Sequence, residues 1–105
     1  MAATLDPVLT RFRAALDAAY GDRLERVVLF GSRARGDYRV DSDYDVAVFL
    51  KDYQSFGLES KRLAEIEVDI LYDTGGLIGA MPLAEGAYRD RTSFMAEIRR
   101  DGIDL

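Results

Sequence analysis

The stretch that decides the fold is Val27-Val28-Leu29-Phe30-Gly31-Ser32-Arg33-Ala34-Arg35-Gly36-Asp37-Tyr38-Arg39-Val40-Asp41-Ser42-Asp43-Tyr44-Asp45-Val46-Ala47-Val48-Phe49-Leu50. Residues 26–30 form a short apolar run of the kind that makes a buried strand, and Gly31-Ser32 stops it with a turn. A second apolar run, residues 44–50, has Asp43 and Asp45 at its leading end. Ten residues, 33–42, separate Gly31-Ser32 from Asp43-Tyr44-Asp45. The order is strand, Gly-Ser turn, a short helix interrupted at Gly36, a loop, then a second strand.

That order brings a particular set of groups together. A strand that turns into a helix start presents free backbone N–H groups and the positive end of a helix dipole, which suits phosphate oxygens. Gly31 allows close backbone approach, and the Ser32 hydroxyl can donate to a phosphate. Side chains alternate along a strand, so Asp43 and Asp45 share a face about 7 Å apart at ~3.3 Å per residue. Such a pair brackets one or two divalent cations, with two expected. Magnesium is held by one or two carboxylates together with substrate phosphates, and a pair of ions can clamp both oxygens of an in-line displacement. A nucleoside triphosphate with magnesium answers this chemistry.

Each half of the pattern is weak alone, since Gly-Ser after a strand is often just a turn and Asp-x-Asp often a solvated loop. Residues 41–45 also match the start of a calcium loop, but that pattern needs Gly at its sixth position and Glu at its twelfth. Val46 and Asp52 stand there instead. Neither a Gly-Lys-Ser/Thr phosphate loop nor a Gly-x-Gly-x-x-Gly fingerprint occurs. Order and spacing together carry the signal.

Composition narrows the chemistry further. The 105 residues, 49% of them hydrophobic, suffice for one core and one domain, residues 1–105. Nineteen acidic against 14 basic residues give a net charge of -5, which argues against a nucleic-acid polymer as direct substrate. A local basic patch of Arg33, Arg35 and Arg39 stands apart from that balance. The chain has no cysteine and no histidine, excluding disulfides, thiolate chemistry, serine–histidine triads and imidazole-ligated metals. Carboxylates are left as the acid–base and metal groups. No apolar run approaches the roughly 18 residues of a membrane span, and residues 1–6 do not resemble a secretory leader, so a cytoplasmic setting is expected.

Taken in order, residues 6–21 read as a helix with Asp6 as N-cap, Pro7 at the first position, Gly21 past the end, and Leu9, Phe12, Leu16 and Ala19 on its core stripe. Arg33 and Arg35 are equally well read as solvated surface arginines and as bidentate contacts to a triphosphate; Arg39 is the weaker candidate. The second strand is central, with Ala47 and Phe49 on one face and Val46, Val48 and Leu50 on the other. Residues 53–63 carry a weak helical pattern broken by Gly57. Residues 65–72, Glu-Ile-Glu-Val-Asp-Ile-Leu-Tyr, alternate and read as a third strand with Asp69 inside it. A carboxylate there is either ion-paired, at a solvent-reaching strand end, or a third metal ligand that receives a proton from the attacking hydroxyl; the ligand reading is preferred, with Glu67 a weaker candidate. Residues 77–83 form a short fourth strand that Pro82 confines to an edge or a strand end. Residues 88–91 are a turn or helix start, and residues 92–100 a last helix stopped by Gly102, with Phe94, Met95 and Ile98 on its apolar side.

Gly31-Ser32, ten residues, then Asp43-Tyr44-Asp45 resembles the signature of the nucleotidyltransferase superfamily, and the short chain around it looks like the minimal nucleotidyltransferase group. The resemblance implies an α/β fold of the polymerase-beta-like type, a small mixed sheet flanked by helices. It implies transfer of a nucleoside monophosphate from a triphosphate to a hydroxyl, with ATP as the family's guess for the donor. By it, Gly31 and Ser32 hold the triphosphate, and Asp43, Asp45 and Asp69 bind magnesium. Larger relatives carry extra domains that grip the acceptor, and this chain has none, which points to a partner protein. Minimal nucleotidyltransferases pair with HEPN-type ribonuclease toxins, on which they act as antitoxins by attaching AMP to a tyrosine. Two alternatives stand beside this: an antibiotic nucleotidyltransferase of the aminoglycoside type with a pocket built between subunits, and a non-catalytic antitoxin that masks its partner.

Overall fold

A computed structural model describes residues 6–105. The first helix, α1 (Pro7–Tyr20), starts as its sequence dictates: the Asp6 side chain accepts from the Val8 N–H at 2.8 Å, and Pro7 occupies the first turn, where its missing N–H is not needed. Its buried face is Leu9, Phe12, Leu16 and Tyr20. Tyr20 takes the place expected for Ala19, which faces solvent. A 3₁₀ turn, Gly21–Arg23, leads into β1 (Leu24–Phe30), followed by α2 (Gly31–Arg35) and β2 (Tyr44–Leu50).

The largest departure from the sequence reading comes next. Residues 65–72 are not a strand: they lie within α3 (Phe56–Thr74), a 19-residue helix. Ser55 caps it, accepting from the Leu58 N–H, and Gly75 ends it in the left-handed conformation at φ 79°. Leu63, Ile66 and Ile70 recur at helical spacing and turn to the core, while Val68 and Tyr72 of the supposed alternation face solvent. Glu59, at the start of α3, is fully buried and paired with Arg23 at 2.7 Å. Arg23 also donates to the carbonyls of Lys51 and Asp52, so one guanidinium ties the entry of β1 to the exit of β2 and to α3.

The chain then forms β3 (Ile78–Ala84), a 3₁₀ turn at Ala87–Arg89, α4 (Ser93–Asp101) and the two-residue β4 (Ile103–Asp104). The sheet order is β3-β2-β1-β4. β1 pairs antiparallel with β2 and with β4, whereas β2 and β3 run parallel, joined by the crossover helix α3. β3 is an edge, as Pro82 requires. The Ala80 N–H points off the sheet to the Glu67 carboxylate at 2.7 Å, and Pro82, two residues on, faces the same way, so its missing N–H removes no ladder bond. Burial raises the Glu67 carboxyl above its ordinary value, and the Ala80 bond works against that.

Two cores sandwich the sheet. On one face, Val27, Leu29, Tyr44, Val46, Val48 and Leu50 pack under α1 and α3; on the other, Val28, Ala47 and Phe49 pack under Met95 and Ile98 of α4. Each fully buried large side chain contributes about 1.5–3 kcal/mol, so the central strand, sealed on both faces, is the rigid platform of the domain. Odd-numbered residues of β2 face α4, which sets the face on which Asp45 emerges. No helix among the described residues is long and apolar enough to cross a membrane.

Candidate active site

Asp45 lies in β2 opposite Phe30 of β1 and Gly79 of β3. Its carboxylate sits between two glycines. Gly31 has φ 73°, a conformation that favours glycine, and a Cβ there would run into Asp45 Oδ2; a Cβ on Gly79 would lie 3.7 Å from Asp45 Oδ1. The sequence assigned Gly31 to phosphate approach. The structure adds a second reason for glycine: it makes room for the carboxylate. Burial first, and the charge of Asp43 second, push the Asp45 carboxyl above its ordinary value, while Arg35 pulls it down. Asp43 is exposed at the end of the 36–43 loop, two residues before Asp45. Two acidic groups thus crowd one rim of the sheet.

Helix α2 begins at Gly31 itself, directly after β1, and no side chain caps its first turn. Ser32 is half-buried there. The two arginines that the sequence left equivalent are separated by the fold. Arg35 is exposed, 3.3 Å from Asp37 and 3.9 Å from Glu97 of α4, and its charge favours the ionised form of Asp45. Arg33 is engaged elsewhere: it donates to the carbonyls of Ser42 and Val40 at 3.0 and 3.1 Å and lies over the rings of Tyr44 and Tyr38. Its guanidinium binds the chain's own loop. In Arg39, the backbone N–H donates to the Ser42 hydroxyl, closing a small turn.

Asp69 is the clear correction. It stands exposed on α3, and among the described residues no three acidic side chains come together as a metal site. On the side of β2 away from β1 lies β3, whose sequence Ile-Gly-Ala-Met-Pro-Leu-Ala holds no acid. Gly79 occupies the position beside Asp45. Glu67 is spent on the edge of β3. Gly79 had no signal in the sequence, because its importance lies in the register between β2 and β3.

The matches to known proteins bear on this geometry. Residues 9–84 match the model of the nucleotidyltransferase domain family, spanning β1, the Gly-Ser turn, both aspartates, α3 and β3. The chain belongs to the nucleotidyltransferase domain family. A proposed protein adenylyltransferase of Methanocaldococcus jannaschii is 30% identical to this nucleotidyltransferase domain over 100 residues, 93% of this chain and 95% of that protein. A solved structure of a proposed nucleotidyltransferase from Sulfolobus solfataricus superposes with a TM-score of 0.57 at 23% identity, over 92% of this chain and 75% of that one. A chain from a toxin–antitoxin crystal structure with AMP-PNP superposes at 0.62 with 17% identity, over 89% of this chain and 68% of that one. At these identities the solved structures bear on the fold, which is that of nucleotidyltransferases: a small mixed sheet between helices.

Proposed function

We propose that this nucleotidyltransferase domain transfers AMP from magnesium-bound ATP to a hydroxyl of a partner protein in the cytoplasm, the partner being the HEPN-type ribonuclease toxin of a toxin–antitoxin pair. The observation that carries the reading is the Asp45 carboxylate held between Gly31 and Gly79 on the rim where Asp43 and the first turn of α2 also lie. The 30%-identical relative described as a protein adenylyltransferase supports a protein acceptor, and the AMP-PNP toxin–antitoxin structure supports the pairing.

The residues present fit magnesium: two hard oxygen donors, one destabilised by burial and by the other's charge, gain from a divalent cation. When bound, the ion neutralises phosphate charge and polarises the reacting phosphorus. Asp43 and Asp45 would hold it, the backbone at Gly31 and Ser32 would receive phosphate oxygens, and the Arg35 guanidinium would neutralise the leaving pyrophosphate. In the step, the acceptor oxygen bonds to the α-phosphorus as the bond to the β-phosphate oxygen breaks. β3 offers no third carboxylate to take the acceptor's proton, so that proton passes to solvent or to a group of the acceptor protein.

The test is the intact mass of the partner after incubation with this protein, ATP and magnesium, beside an Asp43→Asn, Asp45→Asn control. A gain of AMP units that disappears in the control is expected. One observation favours a second reading: the acid-free β3 strand suits a domain that neutralises its partner by masking it. Tight complexes in both samples without mass gain would decide for masking.

A further inference from the structure

We propose that Arg33 is a positioning residue that clamps the 36–43 loop and thereby sets Asp43 beside Asp45; this rests on the reading of Asp43 as a metal ligand. The loop joins α2 to β2, and its own backbone bonds are few: Ser42 N–H to the Arg39 carbonyl at 3.0 Å, and Arg39 N–H to the Ser42 hydroxyl at 2.9 Å. Arg33 supplies what these lack. Its Nε donates to the Ser42 carbonyl at 3.0 Å, and its Nη2 to the Val40 carbonyl at 3.1 Å and the Arg39 carbonyl at 3.5 Å. Its Cζ lies 3.9 Å from the Tyr44 ring centroid and 4.6 Å from that of Tyr38. A planar fork can serve several carbonyls while it stacks on rings; a lysine ammonium cannot do both.

The consequence for Asp43 follows from peptide planarity. The Ser42 carbonyl belongs to the rigid plane that ends at the Asp43 Cα. The next plane ends at Tyr44, whose N–H donates to the Leu77 carbonyl at 2.9 Å. Asp43 therefore hangs between two anchored planes, one fixed by Arg33 and the other by the start of β2. Without the first anchor, the repulsion between Asp43 and Asp45 would swing the exposed Asp43 toward water.

The experiment compares wild type with Arg33→Lys, Tyr38→Leu and Arg35→Lys, using hydrogen exchange of the metal-free protein and Mn2+ binding without nucleotide. Loss of charge-assisted bonds predicts that the Arg39 and Ser42 amides exchange on the order of 10-fold faster in Arg33→Lys, with Mn2+ affinity about 10-fold weaker. Tyr38→Leu, a change at a half-exposed side chain, should move both in the same direction by less. AMP transfer by Arg33→Lys should recover as magnesium is raised, with KM for ATP unchanged at saturating magnesium. Arg35→Lys should raise KM and leave loop exchange alone. Unchanged exchange and Mn2+ affinity in Arg33→Lys, or a raised KM that magnesium does not relieve, would overturn the proposal. Wild type that binds no Mn2+ would remove the metal reading of Asp43 and this inference with it. Wild type that binds Mn2+ but transfers no AMP would discard the transferase reading only, and the first two readouts would still decide the role of Arg33.

Discussion

Replacing Gly31 by alanine tests the contact at the centre of the site. At φ 73° any side chain pays the left-handed backbone penalty, about 1–2 kcal/mol. The new methyl would also meet the Asp45 carboxyl, whose Cγ and Cβ would lie only 3.2 and 3.3 Å away. Asp45 can yield by rotating, so the stability loss stays near the backbone penalty, while the carboxylate shifts by about 1 Å, a misplacement worth on the order of 100-fold in rate. Gly75→Ala is the matched control: φ is 79°, yet nothing lies within 4 Å of its Cβ. Both variants should lose roughly 5–15 °C in Tm, since 1 kcal/mol corresponds to about 4–8 °C in a domain of this size. Calorimetric titration with Mn2+ and ATP separates them: Gly75→Ala should bind as wild type does, and Gly31→Ala far more weakly. Equal binding by the two would refute the argument that Gly31 is glycine to seat Asp45.

Asp45→Asn should stabilise the metal-free fold at neutral pH. A carboxyl raised on folding holds its proton more tightly when folded, so wild-type stability declines as pH rises from roughly pH 4 through the folded value; the asparagine variant lacks this decline, and urea unfolding across pH 3–7 should show the two curves converging in acid. Arg23→Met should destabilise by about 3–5 kcal/mol, because it strips the close partner from the fully buried Glu59; adding Glu59→Leu should recover much of the loss in denaturant melts. Gly79→Asp would put its Cβ in ordinary contact range of Asp45 Oδ1 and so bring a second carboxyl to that side of the strand, lowering metal-free stability through like charge and tightening Mn2+ about 10-fold, both readable by calorimetry. An unchanged Mn2+ affinity would mean that the face of β3 beside Asp45 does not reach the ion.

The local sequence determined the elements whose signals are local. Asp6-Pro7 capped α1, the apolar runs gave β1 and β2, Pro82 kept β3 at the edge, and Thr92 and Gly102 bounded α4, because caps, turns and strand patterns act within a few residues. The Gly-Ser turn and Asp43-x-Asp45 fell on one rim as their spacing required. Tertiary structure decided the rest. Residues 65–72 satisfy both a two-residue and a 3.6-residue period over so short a window, and only the docking of Leu63, Ile66 and Ile70 under α1 and β2, with caps at Ser55 and Gly75, makes them helix. That packing carries Asp69 away from the aspartates and brings Gly79 to Asp45 through a strand register that no local pattern specifies. It likewise separates Arg33 from Arg35, two residues apart in one short helix: which faces the loop and which the acids depends on where β2 and α4 stand around them. Side-chain chemistry is written in the chain, but the partner each side chain meets is fixed by contacts distant in sequence.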